Sequence, residues 1–493
     1  MNKFWQALSQ FNVARTLNNA VTNRSTLSGC LNFFAQGGSL RNQSPKYIQN
    51  LFATAWQDNP QHAIQMMGWI YDCRGGCGER DVFFYLFTWL TQNYPEIAKA
   101  NLYLIPDFGR WDMLVRLLDF DVLQPTILQL IHEQLLADQF GINQKQSISL
   151  CAKWLPREGK KDEAKAKLIR HFLELSAKDY RHLLTRLTRY LDVVETKMCA
   201  QQWEEINYEN VSSRAAMIYR QAFQNHDSLR YNQYLEAVKE GKASLQAKQL
   251  YPYDIIRKYL NFHQVKFDPT LELQWQNLPN PFAEGNLRAI VPVVDVSGSM
   301  YSFTKVRPID VSVSLGVFFA EKNPSIWGNS FITFSGQPEL LTLTGNSLYE
   351  KVKSLSDATW GMNTNLQAVF NLILFYAKEF ELSDADLPQM VLIISDMEFD
   401  QAQSSKTNFQ AIDEQFQAAS YTRPTLVFWN VDAKSEQFPV TKNDEKVVLL
   451  SGFSQQVFRH LMSGEILTPM EMMLKTIDTP KYQRWQAKRS TSQ

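Results

Sequence analysis

The segment Arg288-Ala-Ile-Val-Pro-Val-Val-Asp-Val-Ser-Gly-Ser-Met300 decides the fold of the C-terminal half of this chain. Its apolar run, residues 288–295, predicts a strand that is buried on both faces and ends at Asp295. Shorter apolar runs and helical segments alternate after it. We predict strands over 330–334, 339–343, 389–395, 425–431 and 446–450, and helices over 308–321, 365–379, 408–419 and 455–461. This alternation is typical of an α/β doubly wound, mostly parallel sheet, which binds ligands at the carboxyl ends of its strands.

Polar side chains follow the first strand at a spacing that suits a metal ion. Asp295, Ser297 and Ser299 stand at positions i, i+2 and i+4 on the turn that leaves the strand, and Gly298 lets the backbone bend between them. Mg²⁺ prefers oxygen ligands in an octahedron and keeps some of its waters. The pattern therefore predicts a cation site at the edge of the sheet, with an ordinary strand–turn–helix connection as the alternative.

The Asp-x-Ser-x-Ser sequence resembles the metal-ion-dependent adhesion site (MIDAS) of von Willebrand factor A domains, whose fold is Rossmann-like. Two further residues of that family's site have counterparts here, Thr364 on a later loop and Asp396 at the end of a central strand. The resemblance implies that Ser297, Ser299 and Thr364 bind the cation directly, while Asp295 and Asp396 hold waters and hydroxyls in place. It implies Mg²⁺, or another divalent cation such as Mn²⁺ or Ca²⁺, with an open coordination position for an acidic group of a partner. A phosphate oxygen is chemically equivalent to that acidic group.

Residues 46–264 show a different periodicity. Apolar residues recur every three or four positions, prolines mark several helix starts, and no convincing strand interrupts the pattern. We predict an all-α region of HEAT-like helical repeats. Around it we expect a loosely held polar arm over 1–45, a linker over 265–285, the von Willebrand factor A domain over 286–465 and a C-terminal tail over 466–493.

Three short motifs of the helical region carry a second resemblance. They are Arg74-Gly-Gly-Cys-Gly-Glu-Arg80, Gly109-Arg-Trp-Asp112 and Lys153-Trp-Leu-Pro156. Together with the sheet domain they resemble a little-characterised family of plant, bacterial and large-virus or phage proteins, over most of residues 45–465. The chain departs from that family at Cys77, where the pattern has lysine, and this weakens a phosphate-loop interpretation of the glycine-rich turn. The layout is similar to that of Ro ribonucleoproteins, in which TROVE-type helical repeats and an A domain bind RNA.

The similarity to Ro implies RNA as a ligand, and the charge distribution gives this limited support. Residues 141–260 hold 21 basic and 14 acidic side chains, a net charge of +7, whereas residues 261–493 have a net charge of −6. RNA binding needs a basic track and often aromatic platforms. Salt bridges on the surface or between repeats are the alternative role of each cation. The candidate RNA-binding residues are Arg74, Arg80, Arg110, Lys153, Arg157, Arg181, His182, Arg186 and Arg189.

Composition narrows the class of protein further. Lys plus Arg and Asp plus Glu are 50 each, so total charge favours neither nucleic acid nor a membrane surface. Five cysteines in 493 residues are not a disulfide framework and indicate a reducing compartment. No apolar run approaches the roughly 20 residues of a membrane span. We therefore expect a cytoplasmic protein with no membrane contact.

The favoured function is a non-enzymatic RNA-binding scaffold. The alternative is a metal-dependent protein–protein adaptor that binds an acidic protein partner and no RNA. A metal-dependent enzyme acting on phosphodiesters is the least favoured hypothesis, because hydroxyls rather than clustered carboxylates dominate the expected ligands.

Overall fold

The computed structural model has two connected parts, a helical region followed by a mixed, mostly parallel sheet domain, as the sequence predicts. Some short segments and both ends of the chain are outside the part that it describes. The described residues are 11–260, 266–282, 289–302, 304, 306–334, 337–355, 365–400, 407–434, 437–458, 461 and 468–488.

Helices account for the first part, and no strand is found within residues 46–260, all of which are described. Several helices begin with proline. An N–H at the first helical position has no acceptor within the helix, so its absence in proline costs nothing there. The preceding residue caps three of these helices, since Ser44 accepts from the Tyr47 amide, Asn59 from the His62 amide, and Asp268 from the amides of Thr270 and Leu271. In chain order the helices are α1 (Gly29–Gly37), α2 (Pro45–Asp58), α3 (Pro60–Tyr71), α4 (Arg80–Asn93), α5 (Pro95–Asn101), α6 (Ile105–Phe108), α7 (Asp112–Leu117), α8 (Gln124–Asn143), α9 (Cys151–Trp154), α10 (Glu163–Phe172), α11 (Ala177–Tyr190), α12 (Val194–Cys199), α13 (Ser213–His226), α14 (Ser228–Lys239), α15 (Pro252–Ile256) and α16 (Pro269–Gln276).

The polar N-terminal segment is packed onto the protein, in contrast to the loosely held arm expected over 1–45. Its described part begins with an antiparallel hairpin of β1 (Val13–Arg15) and β2 (Val21–Asn23), and continues into α1. Helix α1 buries Phe33 and Phe34 completely. The Phe34 ring stacks on Trp69 of α3 at 4.9 Å between centroids. Two adjacent buried aromatic residues hold this segment against the helical core, whatever the polarity of its neighbours.

The second part is a six-stranded sheet with strand order β5-β4-β3-β6-β7-β8. All neighbouring strands are parallel except β5, which runs antiparallel to β4 at one edge. The strands agree closely with the predicted ones because each is a continuous apolar run. They are β3 (Ile290–Asp295), β4 (Ser330–Phe334), β5 (Leu340–Thr342), β6 (Met390–Ser395), β7 (Thr425–Asn430) and β8 (Val447–Ser451). The helices of this part are α17 (Pro308–Lys322), α18 (Leu348–Leu355), α19 (Leu366–Glu379), α20 (Asn408–Ala418) and α21 (Pro469–Ile477).

The described parts of the predicted linker and tail also contain helices with buried side chains. Within 265–285, helix α16 buries Leu271 and Trp275. Within 466–493, helix α21 is followed by Trp485, which is fully buried against Phe83 and Phe108 of the helical region. One hydrophobic core accordingly extends from the N-terminal segment through the helices and the sheet to Trp485.

A second, smaller core lies between helices α13 and α14 and includes Phe223, Tyr231 and Leu235. The five cysteines form no disulfide. In the part of the chain that the structure describes, every helix is too short or too polar to cross a bilayer.

Candidate functional site

The carboxyl ends of the two central strands bring the predicted metal-binding residues together. Strands β3 and β6 are parallel neighbours, paired in register through Val294 and Ile394. Asp295 ends β3 and Asp396 directly follows β6, so both carboxylates lie at the same edge of the sheet. Both are buried, and so is Ser297. A short 3-10 helix, Gly298–Tyr301, then carries Ser299 back toward Ser297.

The two serine hydroxyls have the spacing that a small divalent cation requires. The Oγ atoms of Ser297 and Ser299 are 3.0 Å apart. Adjacent oxygen ligands of an octahedral Mg²⁺ lie about 3 Å from each other, since each metal–oxygen bond is about 2.1 Å. The two hydroxyls, which share a hydrogen bond here, therefore have a separation compatible with joint ligation of such a cation.

The carboxylates are held by hydrogen bonds around these hydroxyls. Asp295 Oδ1 accepts from the amide of Ser297 at 2.9 Å, and its Oδ2 accepts from the hydroxyl of Ser395 at 2.5 Å. Asp396 Oδ1 accepts from the amide of Glu398 at 3.2 Å. Burial, and then the nearby charge of Asp396, raise the pKa of Asp295 above its ordinary value. A bound cation would offset this repulsion between two buried acids.

One member of the predicted set, Thr364, lies outside the described residues. The next residue, Asn365, is described and caps α19 by accepting from the amide of Ala368 at 3.0 Å. No group of three or more His, Cys, Asp or Glu side chains suited to a metal is found among the residues with described positions.

Sequence reasoning missed Lys434, which the structure places in the same site. Its Nζ lies 2.6 Å from Asp396 Oδ2 and donates to the carbonyl of Ser299 at 2.5 Å. It is also 3.8 Å from Asp432 Oδ2. Lys434 comes four residues after β7, the parallel neighbour of β6. Because the carboxyl ends of parallel strands lie together, this position in the sequence could have indicated that Lys434 is near Asp396.

The glycine-rich turn at 74–80 binds other parts of the chain. The buried carboxylate of Asp72, just before it, accepts from Lys481 Nζ and, at 2.8 Å, from the hydroxyl of Tyr482. Glu79 accepts two hydrogen bonds from Arg41, at 3.0 and 2.6 Å. The turn thus joins the N- and C-terminal segments to the helical region, and its contacts explain its acidic residues without a phosphate ligand.

Two of the predicted RNA-binding arginines are engaged with a carboxylate. Arg80 and Arg110 both donate to Asp112, Arg80 at 2.6 Å. Arg74 donates to the backbone carbonyl of Asp107 at 2.7 Å. The salt-bridge alternative thus describes the present contacts of Arg80 and Arg110, while the Arg74 guanidinium binds a backbone carbonyl.

Arg74, Arg110 and Lys153 line one cleft of about 690 Å³ in the helical region. The guanidinium of Arg110 lies over the Trp154 ring at 3.8 Å, and Lys153 Nζ is 3.5 Å from Glu195 Oε2. The cleft lies between the two hydrophobic cores, a common location for ligand sites. Its other charged residues are Asp107, Asp192, Lys197 and Arg214.

The remaining predicted cations lie on or against helix α11. Arg157 packs inward and donates to the carbonyl of Ala152 at 3.2 Å and to Thr188 Oγ1 at 3.1 Å, and burial lowers its pKa. The other side chains are exposed on one face of the helix. They are Arg181, His182, Arg186 and Arg189, together with Lys178.

Comparison with known proteins divides the chain at the same point as its fold. A domain of unknown function (DUF2828) matches residues 16–118 and 157–287, and a second domain of unknown function (DUF7788) matches residues 289–492. The uncharacterized protein L728 of Acanthamoeba polyphaga mimivirus is 30% identical over 514 aligned positions, which cover 95% of this chain and 87% of the relative. This chain belongs to the L728 family.

The L728 relationship agrees with the predicted resemblance to an uncharacterised family that has large-virus members. Among solved structures, the Ro (RSR) protein of Deinococcus radiodurans matches 92% of this chain and 100% of its own, with a TM-score of 0.44 and 15% identity. Those two values are too low to carry an argument about function.

Proposed function

We propose that this L728-family chain is a binding protein whose sheet edge holds a divalent cation, Mg²⁺ or a similar ion, that captures an anionic group of a partner. The observation that carries the proposal is the pair of Ser297 and Ser299 hydroxyls, 3.0 Å apart between two buried carboxylates. The resemblance to the adhesion site of von Willebrand factor A domains supports it and adds Thr364 as the expected third direct ligand.

The chemistry of these ligands favours binding over catalysis. Hydroxyl ligands are neutral, so the cation keeps most of its charge and attracts a carboxylate or phosphate to its open position. Asp295 orients Ser297 through the amide of that residue, and Asp396, once released by Lys434, would accept a hydrogen bond from a metal-bound water. Two-metal hydrolysis would need several carboxylates in direct contact with the ions.

Removal of one hydroxyl should weaken binding of the cation and leave the sheet folded. Ser297→Ala is expected to lower the affinity for Mg²⁺ by about tenfold to a hundredfold, as loss of a supporting or direct ligand does in metal sites. Isothermal titration calorimetry with MgCl₂ measures this change. Ser330→Ala is the matched control, because Ser330 begins strand β4 and so lies at the amino ends of the parallel strands, away from the site. This variant should bind Mg²⁺ like the unmodified protein. Equal Mg²⁺ affinity in both variants, or no binding by the unmodified protein at millimolar Mg²⁺, would contradict the proposal.

We infer a second candidate function, RNA binding, from the outer face of α11. This face presents Lys178, Arg181, Arg186 and Arg189, and no ion pair of any of them with a carboxylate is found among the described residues. Arg186 has one neutral contact, to Asn143 Oδ1 at 3.3 Å. A row of cations without counter-charges is what a phosphate backbone recognises, and it distinguishes this helix from the paired arginines of the glycine-rich turn.

The RNA candidate predicts a salt-dependent effect of three substitutions. The variant with Arg181, Arg186 and Arg189 changed to alanine should bind single-stranded RNA more weakly. The slope of log K against log salt concentration should fall by about 2, since each phosphate contact contributes about 0.7. Fluorescence anisotropy of a labelled RNA over a salt series gives both values.

A matched control removes the same charge elsewhere in the helical region. Changing Lys239, Lys242 and Lys248 to alanine should leave RNA binding within a small factor, because Lys239 and Lys242 already contact Glu236 and Glu240. RNA binding that is equal in the two triple variants would remove α11 as the site. No RNA binding by any protein, combined with Mg²⁺-dependent capture of an acidic peptide, would favour the adaptor alternative.

A further inference from the structure

We propose that Lys434 is a tethered cation that occupies the position of the divalent cation and must leave when that cation binds. This inference rests on the proposed function of the sheet edge and adds a residue that sets its affinity. Lys434 would thereby set the cation concentration above which the protein can capture its partner.

The contacts of the ammonium group are those of a cation in the site. Its Nζ is 2.6 Å from Asp396 Oδ2 and 2.5 Å from the carbonyl oxygen of Ser299, and it lies 3.8 Å from Asp432 Oδ2. Only 23% of the Lys434 side chain is exposed, whereas Asp396 is fully buried. A lysine at a protein surface without a specific role would instead extend into water, since a flexible chain loses entropy when it is fixed.

The lysine and a divalent cation cannot share this site. Both bind hard oxygen atoms, and Lys434 engages Asp396, one of the carboxylates expected to support the metal. A dication next to Ser299 would also lie within a few ångströms of the ammonium, where like charges repel strongly because little water separates them. Binding of the dication therefore requires that Lys434 give up its contact with Asp396.

The backbone around Lys434 is anchored, so the exchange involves the side chain. On one side, the amide of Ala433 donates to the carbonyl of Ser39 at 3.3 Å, and Asn42 donates to Asp432 Oδ1 at 3.2 Å. On the other, the amide of Phe438 donates to the carbonyl of Asn23 at 2.9 Å. These contacts hold Asp432, Ala433 and Phe438 on the N-terminal segment while the lysine side chain exchanges between Asp396 and solvent.

The inference predicts that loss of the ammonium strengthens cation binding. Lys434→Met should bind Mg²⁺ and Mn²⁺ at least about tenfold more tightly than the unmodified protein, because a hydrogen bond between two charged groups no longer competes. Lys434→Arg keeps the charge and should stay close to the unmodified affinity. Lys442→Met, which removes a lysine of the same domain from outside the site, is the control for the change in net charge. Titration calorimetry with each chloride salt measures all four proteins.

Thermal unfolding gives an independent readout. Without divalent cations, Lys434→Met should unfold at a lower temperature, because Asp396 has lost its counter-charge. Adding MgCl₂ should raise its Tm more than that of the unmodified protein, since tighter binding to the folded state stabilises it more. Should Lys434→Met fold poorly, Lys434→Gln, which can still donate to the Ser299 carbonyl, replaces it in both measurements.

The outcomes separate the inference from the function on which it rests. Mg²⁺ binding by the unmodified protein with equal or weaker binding by Lys434→Met would overturn the role of Lys434 and leave the cation site standing. Binding by none of the proteins would overturn the cation site and the inference with it. Tighter binding by both Lys434→Met and Lys442→Met would show a general charge effect and would also overturn the inference.

Discussion

Replacement of Asp72 by alanine is expected to destabilise the folded state by about 1–3 kcal/mol, the cost of leaving a buried hydrogen-bond donor without its acceptor. The Asp72 carboxylate is 0% exposed and accepts from Lys481, from Tyr482 and from the amide of Arg74. Alanine would leave the buried Tyr482 hydroxyl without this acceptor, whereas the Lys481 ammonium, whose side chain is 43% exposed, can turn to water. Urea unfolding followed by tryptophan fluorescence measures the loss in the free energy of unfolding.

An exposed aspartate nearby provides the matched control. Asp107 pairs with Arg484 at 2.5 Å, but both side chains are about half exposed, 53% and 44%. Asp107→Ala is expected to lower the free energy of unfolding by less than about 1 kcal/mol, because water screens such surface pairs. Equal losses in the two variants would show that burial does not distinguish these carboxylates.

Trp485→Ala is expected to have a larger effect, about 3–5 kcal/mol, because truncation of a fully buried tryptophan leaves a large cavity. The indole lies 5.4 Å from the Phe108 ring and 6.0 Å from the Phe83 ring, measured between centroids. A side chain on Gly68 would overlap it, so this glycine is part of the same contact. The substitution tests whether the C-terminal segment is integral to the helical core.

Thermal and urea unfolding of Trp485→Ala should be compared with those of Phe380→Ala, which removes an aromatic side chain that is mostly exposed. The control should change stability by less than about 0.5 kcal/mol, as most surface substitutions do. A small effect of Trp485→Ala would mean that the C-terminal segment is dispensable for the stability of the helical region.

The ion pairs of Asp72 and Glu79 explain why charged residues are frequent in and beside the glycine-rich turn. Asp72 and Glu79 hold Lys481 and Arg41, which come from opposite ends of the chain. The contacts of the turn are therefore structural, and the anionic ligands that we propose are assigned to the sheet edge and to α11. That distribution of roles follows from burial, because a carboxylate removed from water needs a partner within the protein.

The sheet and the arrangement of its edge follow largely from local sequence. Strands β3, β6 and β7 are apolar runs buried on both faces, and such runs can be identified directly in the amino-acid sequence. The spacing of Asp295, Ser297 and Ser299 is likewise contained in five consecutive residues. Because parallel neighbouring strands end at one edge, the approach of Asp396 also follows once the strand order is inferred.

By itself, the sequence determined the succession of a helical region and a doubly wound sheet, because periodicity and apolar runs are properties of short segments. Only the tertiary structure decided that Lys434 lies beside Asp396, that Asp72 holds Lys481 across 409 positions, and that Trp485 completes the helical core. Such contacts join residues that are distant along the chain. Their partners are selected by packing and by the need to satisfy buried charges, and neither leaves a periodic pattern in the sequence.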